Sequence, residues 1–135
     1  MLKTTSNEIN LGALTWTATA DPSGTISKLI RWNKVGKVIS FWVSIIASTP
    51  GTLVTAVEFD LPSNMPSPST WSSQPNDSII MLGVAKIGVT TNPTFDFNDG
   101  LKVYKDISGN FKIKIECVGG PAADTVYGHG NYISG

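Results

Sequence analysis

Residues 36–47, GKVISFWVSIIA, are apolar at both parities: Ile39, Phe41, Val43 and Ile45 alternate with Val38, Trp42 and Ile46, the latter set interrupted by Ser40 and Ser44. Successive side chains of a strand point to opposite faces of its sheet, so this strand is apolar on both sides. An antiparallel strand with water on one face reads apolar-in and polar-out. This one needs the domain core on one face and a second cover on the other, for which another subunit is the leading candidate. Residues 78–89 repeat the pattern, with Ile79, Met81, Ala85 and Ile87 on one side and Ile80, Leu82 and Val84 on the other. Gly83 and Gly88 inside that run predict a bulge or a close backbone approach.

The rest of the chain is short β segments separated by turn residues, and no window keeps the i, i+3, i+4, i+7 spacing of a helix. Residues 9–19 read as one strand or two short ones, 25–33 as the next, then 36–47, 53–61, 78–89, 95–97, 100–106, 111–118 and 125–133. Residues 48–51, Ser-Thr-Pro-Gly, are expected to close a hairpin between the third and fourth of these, and 106–110, Asp-Ile-Ser-Gly-Asn, to close another. Residues 62–77 carry prolines at 62, 66, 68 and 75 and read as a long, ordered loop. About eight strands near ten-residue spacing define an all-β, antiparallel β-sandwich, jelly-roll-like, in one domain over 1–135, with 1–8 as a flexible amino-terminal segment.

Charged residues are only 15% of the chain, and ten Lys and Arg balance ten Asp and Glu. Nucleic-acid binding draws on clustered basic residues, so this balance argues against it. The start, MLKTTSNE, lacks the apolar core of a signal peptide, and no run reaches the roughly 18 apolar residues of a membrane span. The expectation is synthesis in the cytoplasm with no membrane insertion. Cys117 is the only cysteine and alternates with Phe111, Ile113 and Ile115, which reads as a small buried apolar side chain.

Candidate chemistry is sparse. His129 is the only histidine and has no nucleophile motif beside it, so it reads as a strand-end surface residue. Asp96, Asn98 and Asp99 offer oxygen ligands at close spacing, but Asn-Asp-Gly is turn chemistry and the calcium-loop pattern is missing. Glu58 and Asp60 share a strand face at a spacing open to glycosidase chemistry, and also typical of a solvated face, which is the favoured reading. No catalytic residue, metal or cofactor is assigned. The tryptophans carry more weight. Trp42, Phe41, Ile80 and Leu82 are expected at the core or at a trimer interface. Trp71 stands in the proline-rich loop, where it is either a ligand contact, together with Ser72, Gln74 and Asn76, or the loop's own anchor.

The run WNKVGKVISF at 32–41, followed by FDLP at 59–62 and Met65-Pro66, and the closing YGHGNYISG at 127–135, resemble the carboxy-terminal tip domains of phage tail fibres and related receptor-binding proteins. The resemblance covers residues 30–66 and the last strand, about half of the chain. The chain departs from that pattern in carrying only about 25 residues ahead of the motif, where a tail fibre has a long shaft. The resemblance implies a β-sandwich knob in a parallel homotrimer. It also implies a virion location, binding of a host cell-surface glycan or protein through end loops, and contact with other virion proteins. The alternative in a different class is a structural or decoration protein of the capsid or tail that recognises no host.

Overall fold

The computed structural model describes residues 6–70, 74–89 and 99–135. Among them are nine strands and no helix: β1 Ser6–Asn10, β2 Thr15–Thr17, β3 Ser23–Val35, β4 Val38–Gly51, β5 Ala56–Asp60, β6 Ser78–Gly88, β7 Asp99–Lys105, β8 Phe111–Cys117 and β9 Ala123–Ile133. The fold is all-β and antiparallel, as the alternation requires. The strands form one sheet in the order β1-β3-β4-β9-β6-β7-β8-β5-β2. Its two outermost strands, β1 and β2, are joined by residues 11–14 alone, which span at most roughly 18 Å. Nine strands laid flat at about 4.8 Å spacing would put these edges far beyond that reach. The sheet therefore curls into a half-barrel whose two halves face each other in the manner of a sandwich.

The inner face is the core. Phe41, Ile39, Ile45, Val57, Val103, Ile113, Ile115 and Val126 have no exposed surface, and Cys117 is buried with them. Opposite Phe41, Leu101 and Ile115, strand β9 contributes Gly128 and Gly130, because a Cβ at either would press on these side chains. The core therefore fills β9's inner face with side chains from its neighbours.

The hairpin expected at residues 48–51 does not form. Strand β4 continues through Gly51, and both of its edges are already taken, by β3 and β9. The chain instead crosses to the far half of the sheet, where β5 pairs with β8 and β2. Gly51 permits the crossing, since a Cβ there would lie 2.5 Å from the Ala20 carbonyl and 2.6 Å from the Pro22 ring. The second predicted turn does form. Asp106 Oδ1 accepts from the backbone N–H groups of Ser108 (2.9 Å) and Asn110 (2.8 Å), and Gly109 takes φ +86°. The third feature read from sequence, close approach at Gly83, is also present: a Cβ there would overlap the His129 carbonyl oxygen.

The proline-rich segment is an ordered excursion where it is described, and it is tied to the end of β9. Ser69 N–H donates to Ile133 O (2.7 Å), Gly135 N–H to Ser67 O (2.9 Å), and the Tyr132 hydroxyl to Pro66 O (2.7 Å). Met65, Pro68 and Gln74 are buried.

Candidate binding face

Curling the sheet leaves an outer face, and one cross-strand row crosses it through all nine strands: Glu8, Arg31, Trp42, His129, Val84, Gly100, Glu116, Ala56 and Thr17. The middle of that row is where the doubly apolar strands place their second set of side chains. Trp42 is 42% exposed, Val84 57% and, in the neighbouring row, Leu82 72%. The four residues expected together at core or interface therefore divide. Phe41 is core, Ile80 is partly buried against it, and Trp42 and Leu82 stand on the outer face. Core burial fails for Trp42 because its parity on β4 is opposite to Phe41, and among the described residues no second layer covers that side.

His129 is not at a strand end. It lies in the middle of β9, paired with Trp42 on one side and Val84 on the other. Its ring stacks on the indole at 4.9 Å between centroids and 19° between planes. Its Nδ1 is 2.9 Å from the Phe41 carbonyl oxygen, so Nδ1 carries the proton and donates. Sequence gave no sign of this pairing, because Trp42 and His129 are 87 positions apart and only the β4–β9 register joins them.

On the side away from His129, the indole faces a groove of about 550 Å³ lined by Trp42, Leu29, Arg31, Asn33, Ser44 and Glu8. Arg31 donates to Glu8 Oε2 at 2.8 Å, and both side chains are well exposed. Beyond Val84 a second depression of about 320 Å³ lies between Leu82 and Val118, floored by Gly100 and rimmed by Lys102, Lys114 and Glu116. A Cβ at Gly100 would meet nothing within 4 Å, so the glycine leaves the depression open.

Glu58 and Asp60 differ in exposure: the Asp60 side chain is 81% exposed, in keeping with a solvated face, and the Glu58 side chain only 24%. Lys112 Nζ lies 3.5 Å from Glu58, 3.5 Å from Asp60 and 3.9 Å from Asp106. Burial alone would lower the Lys112 ammonium, but Asp60 and Glu58 outweigh it and the net shift is upward. The Tyr104 hydroxyl donates to Glu58 Oε2 at 2.5 Å. One ammonium among three carboxylates leaves this cluster net acidic, with Glu58 held by both Lys112 and the Tyr104 hydroxyl. Among the described residues no group of three His, Cys, Asp or Glu side chains is arranged around a metal position. Asp96 and Asn98 lie outside the described residues, as does the Asp99 side chain.

The loop candidates also divide. Trp71 and Ser72 lie outside the described residues. Gln74 is buried and donates from Nε2 to Ser78 Oγ at 3.1 Å, and Asn76 donates from Nδ2 to Ile107 O at 3.0 Å. Both amides serve the packing of the loop on the sheet. What the loop end does offer is a pair of clefts of about 360 and 400 Å³ that share Asp60, Leu61, Pro62 and Ser63 in their linings.

Comparisons of the chain with protein-family models, with curated proteins and with solved structures give no match.

The two tyrosines make a pH prediction. Burial first, then the bond to and charge of Glu58, hold the Tyr104 phenol well above its ordinary value near 10, and burial does the same to Tyr132. A phenol whose folded value is raised stabilises the fold fully below the unfolded value and loses that contribution as pH climbs past it. Denaturant midpoints should therefore hold steady up to about pH 9 and fall steeply above about pH 10. Tyr132→Phe should make that fall shallower, and an unchanged slope would count against the assignment.

Proposed function

We propose that this chain is a non-enzymatic recognition domain of the kind carried at phage fibre tips. It assembles as a homotrimer and presents its binding surfaces to a host cell-surface partner. The resemblance of residues 30–66 and 127–135 supports the class. The observation that carries the assembly is the apolar outer surface of β6, with Val118 across the Gly100 depression from it, beside the charged outer faces of β7 and β8. Leu82 (72% exposed) and Val118 (78%) line the Gly100 depression and Val84 (57%) pairs with Gly100 beside it, at positions where an isolated domain would present polar side chains.

A cyclic trimer places one such face against a different face of the next copy, and charged rims such as Lys102, Lys114 and Glu116 fix the register. The clefts beside residues 60–63 lie at the loop end of the sandwich and remain open for recognition. A capsid or tail decoration protein would use the same apolar face against a different virion protein.

Light scattering in dilute neutral buffer should return three times the 14.4 kDa chain mass. The double variant Leu82→Glu/Val84→Glu should return the single chain mass with the strand signature intact, because two carboxylates cannot be left unpaired in a closed contact. A wild-type monomer at micromolar concentration would remove the assembly. Adsorption of the purified trimer to a panel of bacterial strains tests recognition, and a decoration protein would adsorb to none.

A further inference from the structure

We infer that the groove beside Trp42 is a binding slot for a neutral pyranose ring. The inference rests on the reading of the chain as a recognition domain and moves the principal contact from the loop end to the outer face of β3 and β4. Three features converge there. The indole is half-exposed, and among the described residues its one ring-stacking partner is His129. Strand β9 lies on the His129 side of β4 and β3 on the other, so the free indole face turns toward β3 and forms one wall of the groove. A large, rigid, flat apolar wall with little rotamer freedom to lose is what the C–H face of a sugar ring requires.

The remaining walls are polar in a pattern that fits hydroxyl groups. Arg31 and Glu8 are held together by one bond between a guanidinium nitrogen and Glu8 Oε2. Among the described residues, Glu8 Oε1 and the other Arg31 nitrogens have no partner, leaving an acceptor and donors side by side. Neighbouring ring hydroxyls donate to the carboxylate and accept from the guanidinium, and each such charge-assisted bond is stronger than a neutral one. Asn33 and Ser44 add an amide and a hydroxyl. The volume, about 550 Å³, falls in the range of roughly 300–1,000 Å³ common to small-molecule sites.

The same pair sets the charge preference. The Arg31 charge is already balanced by Glu8 at 2.8 Å, so an anionic sugar gains no uncompensated cation and meets the Glu8 carboxylate. The slot therefore favours neutral hexopyranoses over uronic acids. Its Trp42 wall stands on the opposite side of His129 from Val84 and Leu82, outside the apolar surface of β6.

The test is titration of the whole chain with methyl glucoside, galactoside and mannoside, with methyl glucuronide as the anionic comparison, read at the backbone amide resonances of Arg31, Asn33 and Ser44, which both variants below retain. At least one neutral glycoside should saturate with Kd on the order of 1–10 mM, as expected of a single shallow site. The glucuronide should bind more weakly. Glu8→Gln keeps the side-chain shape and should weaken the neutral glycoside about threefold or more, and Trp42→Ala about tenfold or more. Both should keep the remaining amide spectrum, which separates lost binding from lost folding. No shift with any neutral glycoside at about 100 mM, or equal affinity in both variants, would overturn the slot. Cell adsorption separates the two proposals: adsorption that Trp42→Ala leaves untouched overturns the slot and spares the recognition reading. Saturable glycoside binding by a chain that adsorbs to no strain supports the slot and removes host recognition.

Discussion

Phe41→Ala should lower the stability of this domain by about 4 kcal/mol, whereas Trp42→Ala, one residue along the same strand, should cost about 1 kcal/mol or less. Phe41 has no exposed surface, sits 6.0 Å from the Tyr132 ring centroid, and fills the space left by Gly130 on the neighbouring strand. Its truncation opens a cavity that Gly130, having no side chain, cannot fill. Trp42 is the larger residue, but it is 42% exposed and its ring contact in the described structure is the stack on His129. With total stabilities of about 5–15 kcal/mol, the first loss removes a large share of the fold. Denaturant midpoints of the two variants at equal slope check this, and the comparison belongs at low protein concentration, where any contribution of assembly is smallest. Equal losses would mean that the outer face is covered in the isolated chain.

Gly83→Ala is the second large effect, expected at about 3 kcal/mol and a fall in Tm of about 10 °C. In most strands this substitution helps, because glycine has more backbone freedom to lose on folding. Here the added methyl overlaps the backbone carbonyl oxygen of His129 and stands 3.2 Å from a Leu101 methyl. The carbonyl belongs to the β9 ladder and cannot move without breaking pairing between the two strands at the centre of the sheet. Gly12→Ala is the matched comparison. It has nothing within 4 Å of its would-be Cβ, so thermal melts should show it unchanged or slightly stabilised. A neutral Gly83→Ala would show that β6 and β9 are less closely paired than described.

Strand character was legible residue by residue because the period-2 pattern is local. The parity of Ile39, Phe41, Val43 and Ile45 against Val38, Trp42 and Ile46 marked two faces, and the structure buries the first set and exposes the second. The Asp106 turn was legible for the same reason, since its acceptor and donors lie within four residues of each other. So was the need for close approach at Gly83, because only a glycine inside an apolar run announces a missing side chain.

Pairing between distant segments was not legible. The Pro50-Gly51 dipeptide has hairpin chemistry, but a hairpin needs a free edge, and β4 has none once β3 and β9 flank it. Nothing in the local sequence records that occupancy. The candidate face was hidden in the same way. Glu8, Arg31, Trp42 and His129 come from four strands spread over most of the chain, and they become one row only through registers fixed by the turns and the buried face. Glu58, Tyr104 and Lys112 likewise meet from β5, β7 and β8, a contact that the spacing of Glu58 and Asp60 does not record. The sequence by itself determined an antiparallel all-β chain with more apolar strand surface than one core can bury. Tertiary structure alone decided which surface was left over, because the curl of the sheet and the register of each strand are set by contacts between residues far apart in the chain.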